Sequence, residues 1–210
     1  MKPLQLTKKM NKHTNIKRFL ISGLISLFIF VGCKSENGRK QTIGWQTYKN
    51  ITDSILHSIS DQDMKLFIKQ ENETYKQVID ITEFDESYMT FIKVVVTSEV
   101  KIYIEEPYSE SGDWNNEYVY VFNQSGKLKL FIRKSSFFNS NCSDGVVTEK
   151  EIFAVEDGEL MKESYEIFDE NKIAIKDTTN CIFNYRFKYP VYMDYFEIPV
   201  VEKYNNILSR

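Results

Sequence analysis

From Trp45 the apolar residues recur every three or four positions, at Trp45, Tyr48, Ile51, Ile55 and Ile59. On a helix of 3.6 residues per turn these side chains share one face, which predicts an amphipathic helix over 45–60. A second pattern of the same kind runs through Met64, Phe67, Ile68, Tyr75, Val78 and Ile79, with Ser60 or Asp61 placed to cap its first turn. The polar faces of both segments are mixed or acidic, whereas a helix lying on an anionic bilayer carries Lys and Arg there. Both are therefore expected to pack against the protein's own sheet.

From Tyr88 the pattern changes to β-branched and aromatic residues in period-two alternation. Strands are predicted over 88–97, 100–105, 117–122, 127–133, 147–155, 160–168, 172–176 and 181–189. The tail from Pro190 holds Val191, Tyr192, Phe196 and the apolar run at 198–201, and reads as one more extended segment edged by Pro190 and Pro199. The links at 123–126, 156–159 and 169–171 are short and rich in residues that tolerate turn geometry. Such links join antiparallel neighbours, because a parallel partner needs a crossover of a dozen residues or more. Residues 118–122 are apolar at every position, which predicts a strand that is central or covered by the helices. Over 127–133, Leu128, Leu130 and Ile132 share one face, and Lys127, Lys129, Phe131 and Arg133 the other. The aromatic face of 181–189 is expected inward, with Cys181 at a buried edge. The fold class is α+β: two N-terminal amphipathic helices packed on an antiparallel β-meander of about seven to nine strands.

Composition narrows the class further. Hydrophobic residues make up 42 % of the 210, too many for a disordered chain, and one core is the ordinary outcome at this length. Eight Gly and four Pro exclude collagen-like and low-complexity classes. With 27 Lys and Arg against 30 Asp and Glu, and no long block of one sign, nucleic acid is not an expected partner. No internal repeat of fixed period stands out.

The charge is unevenly placed. Residues 1–18 carry Lys2, Lys8, Lys9, Lys12, Lys17 and Arg18 with no acidic residue, and an apolar run from Phe19 to Val31 follows. That run is about thirteen residues long, short of the ~20 that a membrane-spanning helix needs, so the segment reads as a signal peptide. It ends in Phe30-Val31-Gly32-Cys33, which resembles the lipobox of bacterial lipoproteins. The resemblance implies that the Cys33 thiol is acylated and that the chain is cut before it. Two or three acyl chains hold a protein on a membrane where one does not. It also implies an outer-membrane lipoprotein of the bacterial cell envelope, facing the periplasm or the cell surface. Lys34 and Glu36 loosely resemble a stretch that directs some such proteins to the surface. The organisation expected is a signal peptide over 1–32, a lipidated Cys33 and flexible tether over 33–44, and one extracytoplasmic domain over 45–210. Taking the six cations before Cys33 from the 27 leaves 21 against 30 acidic residues, so the exported part carries a charge of −9.

With Cys33 acylated, Cys142 and Cys181 remain, and two thiols in an oxidising compartment are expected to pair.

The remaining chemistry is sparse. His13 lies in the signal segment, which leaves His57 on the first predicted helix without an activating neighbour. No spacing typical of a metal site and no Gly-rich phosphate loop occurs, so no metal or cofactor is expected. The stretch Asn139 to Gly145 alternates oxygen-bearing residues but lacks the Gly and Glu positions of a calcium loop. Glu105 and Glu106, followed by Glu110 and Asp113, are the densest carboxylates, and a hydrolase would need two held about 5–10 Å apart. Phe137 and Phe138 lie in a polar loop and Tyr108 and Trp114 flank Gly112 in another; these rings either stack on a glycan or partner protein, or fold back on the core. Asp53-Ser54-Ile55 and Asp177-Thr178-Thr179 resemble a three-residue O-glycosylation acceptor of Bacteroidetes-type bacteria. The reading these features support is a lipid-anchored, non-catalytic binding or envelope-maintenance module. Its alternative is an inhibitor or immunity lipoprotein that blocks a toxin or lytic enzyme with an acidic face.

Overall fold

The structure, a computed structural model, describes residues 44–60, 63–70, 74–79, 90–138, 140–182 and 187–208. The signal segment, Cys33 and most of the tether lie outside the described residues, as do Phe183 to Arg186 of the strand expected over 181–189. Among the described residues no helix is long and apolar enough to cross a membrane.

The first apolar stripe forms the expected helix, α1 (Trp45–Ser58). The second does not. In its place stand β1 (Lys65–Lys69) and β2 (Tyr75–Val78), paired antiparallel with Leu66 opposite Val78 and Lys69 opposite Tyr75. Leu66, Phe67 and Ile68 are all buried, and strand alternation sends Phe67 to one face of the sheet and its two neighbours to the other. A short continuous apolar run of this kind satisfies a helical stripe and a strand covered on both sides equally well. Ile79, which completed the helical pattern, is 92 % exposed.

β3 (Thr90–Val96) returns along the other side of β1, which leaves β2 at the edge. From there β4 (Lys101–Pro107), β5 (Trp114–Phe122), β6 (Leu128–Phe137), β7 (Val147–Glu156) and β8 (Glu159–Phe168) follow in chain order, each antiparallel to the last. Among the described residues the sheet thus has eight strands, six of them a plain meander. Two expected strands do not appear among the described residues. Residues 172–176 keep one bridge, Phe168 to Ala174, and the described parts of 181–189 carry no strand pairing. The tail folds as a 3-10 turn (Tyr195–Glu197) and helix α2 (Pro199–Leu208) rather than as a strand. Val200, Val201 and Leu208 are buried at helical spacing, and Pro199 sits at the first helical position, where its missing N–H costs nothing.

Both faces of the sheet are covered, each by a different part of the chain. Tyr48, Ile51 and Ile55 of α1 pack on an aliphatic face built from Val95, Ile102, Ile104, Val119, Val121, Leu130 and Ile132. The opposite face is aromatic, with Phe67, Tyr103, Tyr118, Tyr120, Phe122 and Phe131 lying under the C-terminal segment. There Tyr189 stacks on Tyr118 with centroids 4.7 Å apart, and Tyr192 meets Tyr120 at 5.6 Å. Hydrogen bonds fix the segment in place: the Tyr120 hydroxyl donates to the Pro190 carbonyl at 2.6 Å, the Leu128 amide to Met193 at 3.0 Å, and the Tyr195 amide to Gly126 at 2.8 Å. Gly126 has φ +84°, a conformation that L side chains rarely adopt, so the β5–β6 turn favours glycine for its geometry, and the Phe196 ring packs close beside it. One N-terminal and one C-terminal helix, on opposite faces, replace the expected N-terminal pair.

Cys142 and Cys181 are joined by a disulfide, with Cα atoms 4.8 Å apart across a sequence separation of 39. Beside it the Ile182 amide donates to the Ser140 carbonyl at 2.7 Å. A cross-link closing a loop of this length stabilises by about 3–4 kcal/mol in the chain-entropy picture. The C142S/C181S double variant should therefore lose about 3–4 kcal/mol in urea unfolding relative to the oxidised protein. Reducing agent should lower the wild type by a similar amount and leave the variant unchanged.

Candidate functional site

At the disulfide end of the sheet the β4–β5 and β6–β7 connections lie side by side. The ladder of β4 and β5 continues past Pro107 by a bridge between Tyr108 and Asn115, and a tight turn follows in which the Gly112 amide donates to the Ser109 carbonyl. Trp114 stands opposite Phe137 in the register of β5 and β6, and the Phe138 amide donates to the Asp113 carbonyl at 3.2 Å. This pairing gathers Tyr108, Trp114, Phe137 and Phe138 around one hollow of about 160 Å³, with Asp113 and Asn115 also in its lining. The four rings are not equivalent. Phe137 is 3 % exposed and packs on Val147 and Ile167 in a small core that includes Cys142, so it is a floor. Phe138, 45 % exposed, is a rim. Trp114 is half-buried, with its ring 4.6 Å from Phe187.

On the aromatic face, between this hollow and the centre of the sheet, lies a charged network that the residue pattern did not single out. Arg133, Glu149 and Glu151 are buried. The guanidinium donates through Nη2 to Glu149 Oε2, through Nε to Glu151 Oε2 at 2.6 Å and through Nη1 to Ser135 Oγ at 3.1 Å. Lys162 donates to the other oxygen of Glu151 at 2.6 Å and the Tyr165 hydroxyl to the other oxygen of Glu149 at 2.8 Å. Burial opposes the Arg133 charge, but the two carboxylates outweigh it and hold its pKa above the ordinary value. Desolvation pushes the neighbouring Tyr118 up to about 12. The Tyr118 phenol and the Arg133 guanidinium keep one protonation state through the neutral range. The network acts as internal wiring under Tyr189, whose ring lies 6.0 Å from the Arg133 guanidinium. The signal that would have revealed it is parity: Arg133 shares a face with Phe131, and Glu149 and Glu151 with Phe153.

The other sequence candidates stand apart. Glu105 and Glu106, being adjacent on β4, point to opposite faces; the Tyr103 hydroxyl donates to Glu105 at 3.0 Å, while Lys93 pairs with Glu106 at 2.9 Å. His57 is exposed in the last turn of α1. Ser54 is exposed on α1 beside Asp53, which pairs with Lys49 at 2.5 Å, and Thr178 is exposed in a turn where Asp177 accepts from the Thr179 amide at 3.1 Å. Asn139 lies outside the described residues. Among the described residues no group of three or more His, Cys, Asp or Glu is placed to hold a metal ion.

No protein-family model, no curated protein and no solved structure matches this chain. The functional reading therefore rests on the residues themselves.

Removing Arg133 alone takes the guanidinium from the fully buried Glu149 carboxylate, and breaking a buried pair in this way costs about 3–5 kcal/mol. Arg133→Met should lower unfolding free energy by about that amount in urea titration. The double variant R133M/E149L should recover much of the loss, since Glu151 keeps Lys162.

Proposed function

We propose that this chain is a lipid-anchored lipoprotein of the bacterial cell envelope whose domain is a non-catalytic binding module. The observation that carries the reading is the Cys142–Cys181 bond. A stable disulfide fits an oxidising, extracytoplasmic compartment. It also leaves Cys33 as the one cysteine outside the bond, at the end of a basic and apolar leader where a lipobox would place it. Acyl chains on Cys33 are the membrane partner, and the tether over 33–44 holds the domain off the bilayer. About ten flexible residues reach roughly 18 Å. A binding role is supported by the hollow at the disulfide end, where exposed aromatic surface lies beside polar side chains, and by the separate engagement of Glu105 and Glu106 on opposite faces.

The test is the chemistry of the mature N-terminus. Expressed with its leader and fed an alkyne-tagged palmitate, the wild-type protein should take up label, and mass spectrometry should find acylated Cys33 as its first residue. Cys33→Ala should take up none. An unlabelled wild type, or a mature N-terminus elsewhere, contradicts the reading.

A further inference from the structure

The hollow at the disulfide end points to a particular ligand class, an inference that rests on the binding-module reading above. We propose that it binds one neutral pyranose ring of a glycan.

Size sets the first limit. At about 160 Å³ the hollow is well below the roughly 300–1,000 Å³ typical of cofactor and drug-sized sites, and holds about five waters at ~30 Å³ each. That suits a single six-membered ring, with the rest of a chain extending into solvent. The lining sets the second. A pyranose carries an apolar C–H face and an edge of hydroxyls, and the lining of the hollow holds both kinds of partner. Trp114, Phe137, Phe138 and Tyr108 are its aromatic residues, and the exposed Asp113 carboxylate is its charged acceptor. Phe138 and Trp114 retain exposed ring surface to be covered by such a face.

Charge decides between neutral and ionic ligands. An acidic sugar would meet the Asp113 carboxylate on an exported domain of charge −9. A cation would find a single carboxylate, exposed to water and already accepting from the Ser111 hydroxyl at 2.6 Å, and an exposed pair of that kind adds little affinity. Hydroxyls lose nothing by such a partner.

The site is also held ready. Phe137 is fixed from behind by Val147, Ile167 and Cys142, whose disulfide ties the β6–β7 connection to the chain at Cys181, and Trp114 is backed by Phe187. A preformed site avoids the ordering cost that weakens binding by mobile loops.

The test is calorimetric titration of the full-length protein in detergent with the methyl glycosides of glucose, galactose, mannose and N-acetylglucosamine, and with glucuronate and choline. At least one neutral glycoside should bind on the order of millimolar, as expected for a ligand of about a dozen heavy atoms. The rim substitution Phe138→Ala, which leaves the floor intact, should weaken it about tenfold, and Asp113→Asn should change it less than about threefold. Binding of choline or glucuronate with none of the neutral sugars overturns the proposal. So does the absence of any binding, or neutral-sugar binding that F138A leaves unchanged. None of these results bears on the acyl label at Cys33, so failure of the glycan inference and failure of the lipoprotein reading are separate outcomes.

Discussion

An eight-stranded sheet whose central strands carry apolar side chains on both faces cannot leave either face in water, and this chain provides a separate cover for each. The helix α1 closes the aliphatic side. The aromatic side depends on the last twenty or so described residues, which carry no sheet pairing beyond one bridge from Asp194 to Lys127 and are held chiefly by ring packing and a few main-chain bonds. Burial of rings dominates this arrangement: each aromatic side chain removes about 150–250 Å² from water, far more than a single hydrogen bond contributes net. The hydrogen bonds from Tyr120, Leu128 and Tyr195 instead set where the segment lies. The Lys127–Asp194 pair at 2.7 Å adds a surface contact at the same turn, where the exposed lysine limits its worth.

The Arg133 network belongs to the same constraint. Covering the aromatic face also buries whatever polar residues share its parity, and Arg133, Glu149 and Glu151 do. Their charges are tolerable because each has a partner, with Lys162 and Tyr165 completing the two carboxylates from β8. Nearer the disulfide the same face carries Trp114 and Phe137, so the candidate hollow lies at the margin of this aromatic core. β8, the long edge of the sheet, is mostly exposed and bears Glu159, Lys162, Glu163 and Glu166, with a register shift at its pairing with β7. Such features blunt an open edge against pairing with another chain.

Much of the architecture was legible from residue patterns. The stripe from Trp45 formed a helix, and the short turns joined antiparallel neighbours. Residues 118–122, apolar throughout, became a central strand. Two misreadings have physical causes. Met64, Phe67, Ile68, Tyr75 and Val78 fit a helical stripe by spacing, but the burial of Leu66 beside Phe67 and Ile68 is a property of the sheet and not of any local propensity. Pro190 and Pro199 read as marks of an edge strand in the sequence, whereas Pro199 opens α2 and Pro190 offers its carbonyl to Tyr120. For the site, the choice of Tyr108, Trp114, Phe137 and Phe138 followed from aromatic residues in polar loops, and the structure brings the four together. Their division into floor and rim depends on the register of Phe137 with Trp114 and Val147, which only the folded sheet defines.

The central claim is that the C-terminal cover and the sheet are one cooperative unit. Native-state hydrogen exchange tests this most directly, through the Tyr195 amide, bonded to Gly126, and the Leu128 amide, bonded to Met193. The account predicts that both exchange as slowly as the amides of Tyr118 to Phe122 and with the same denaturant dependence. Fast exchange at Tyr195 and Leu128 while the β5 amides stay protected would contradict it.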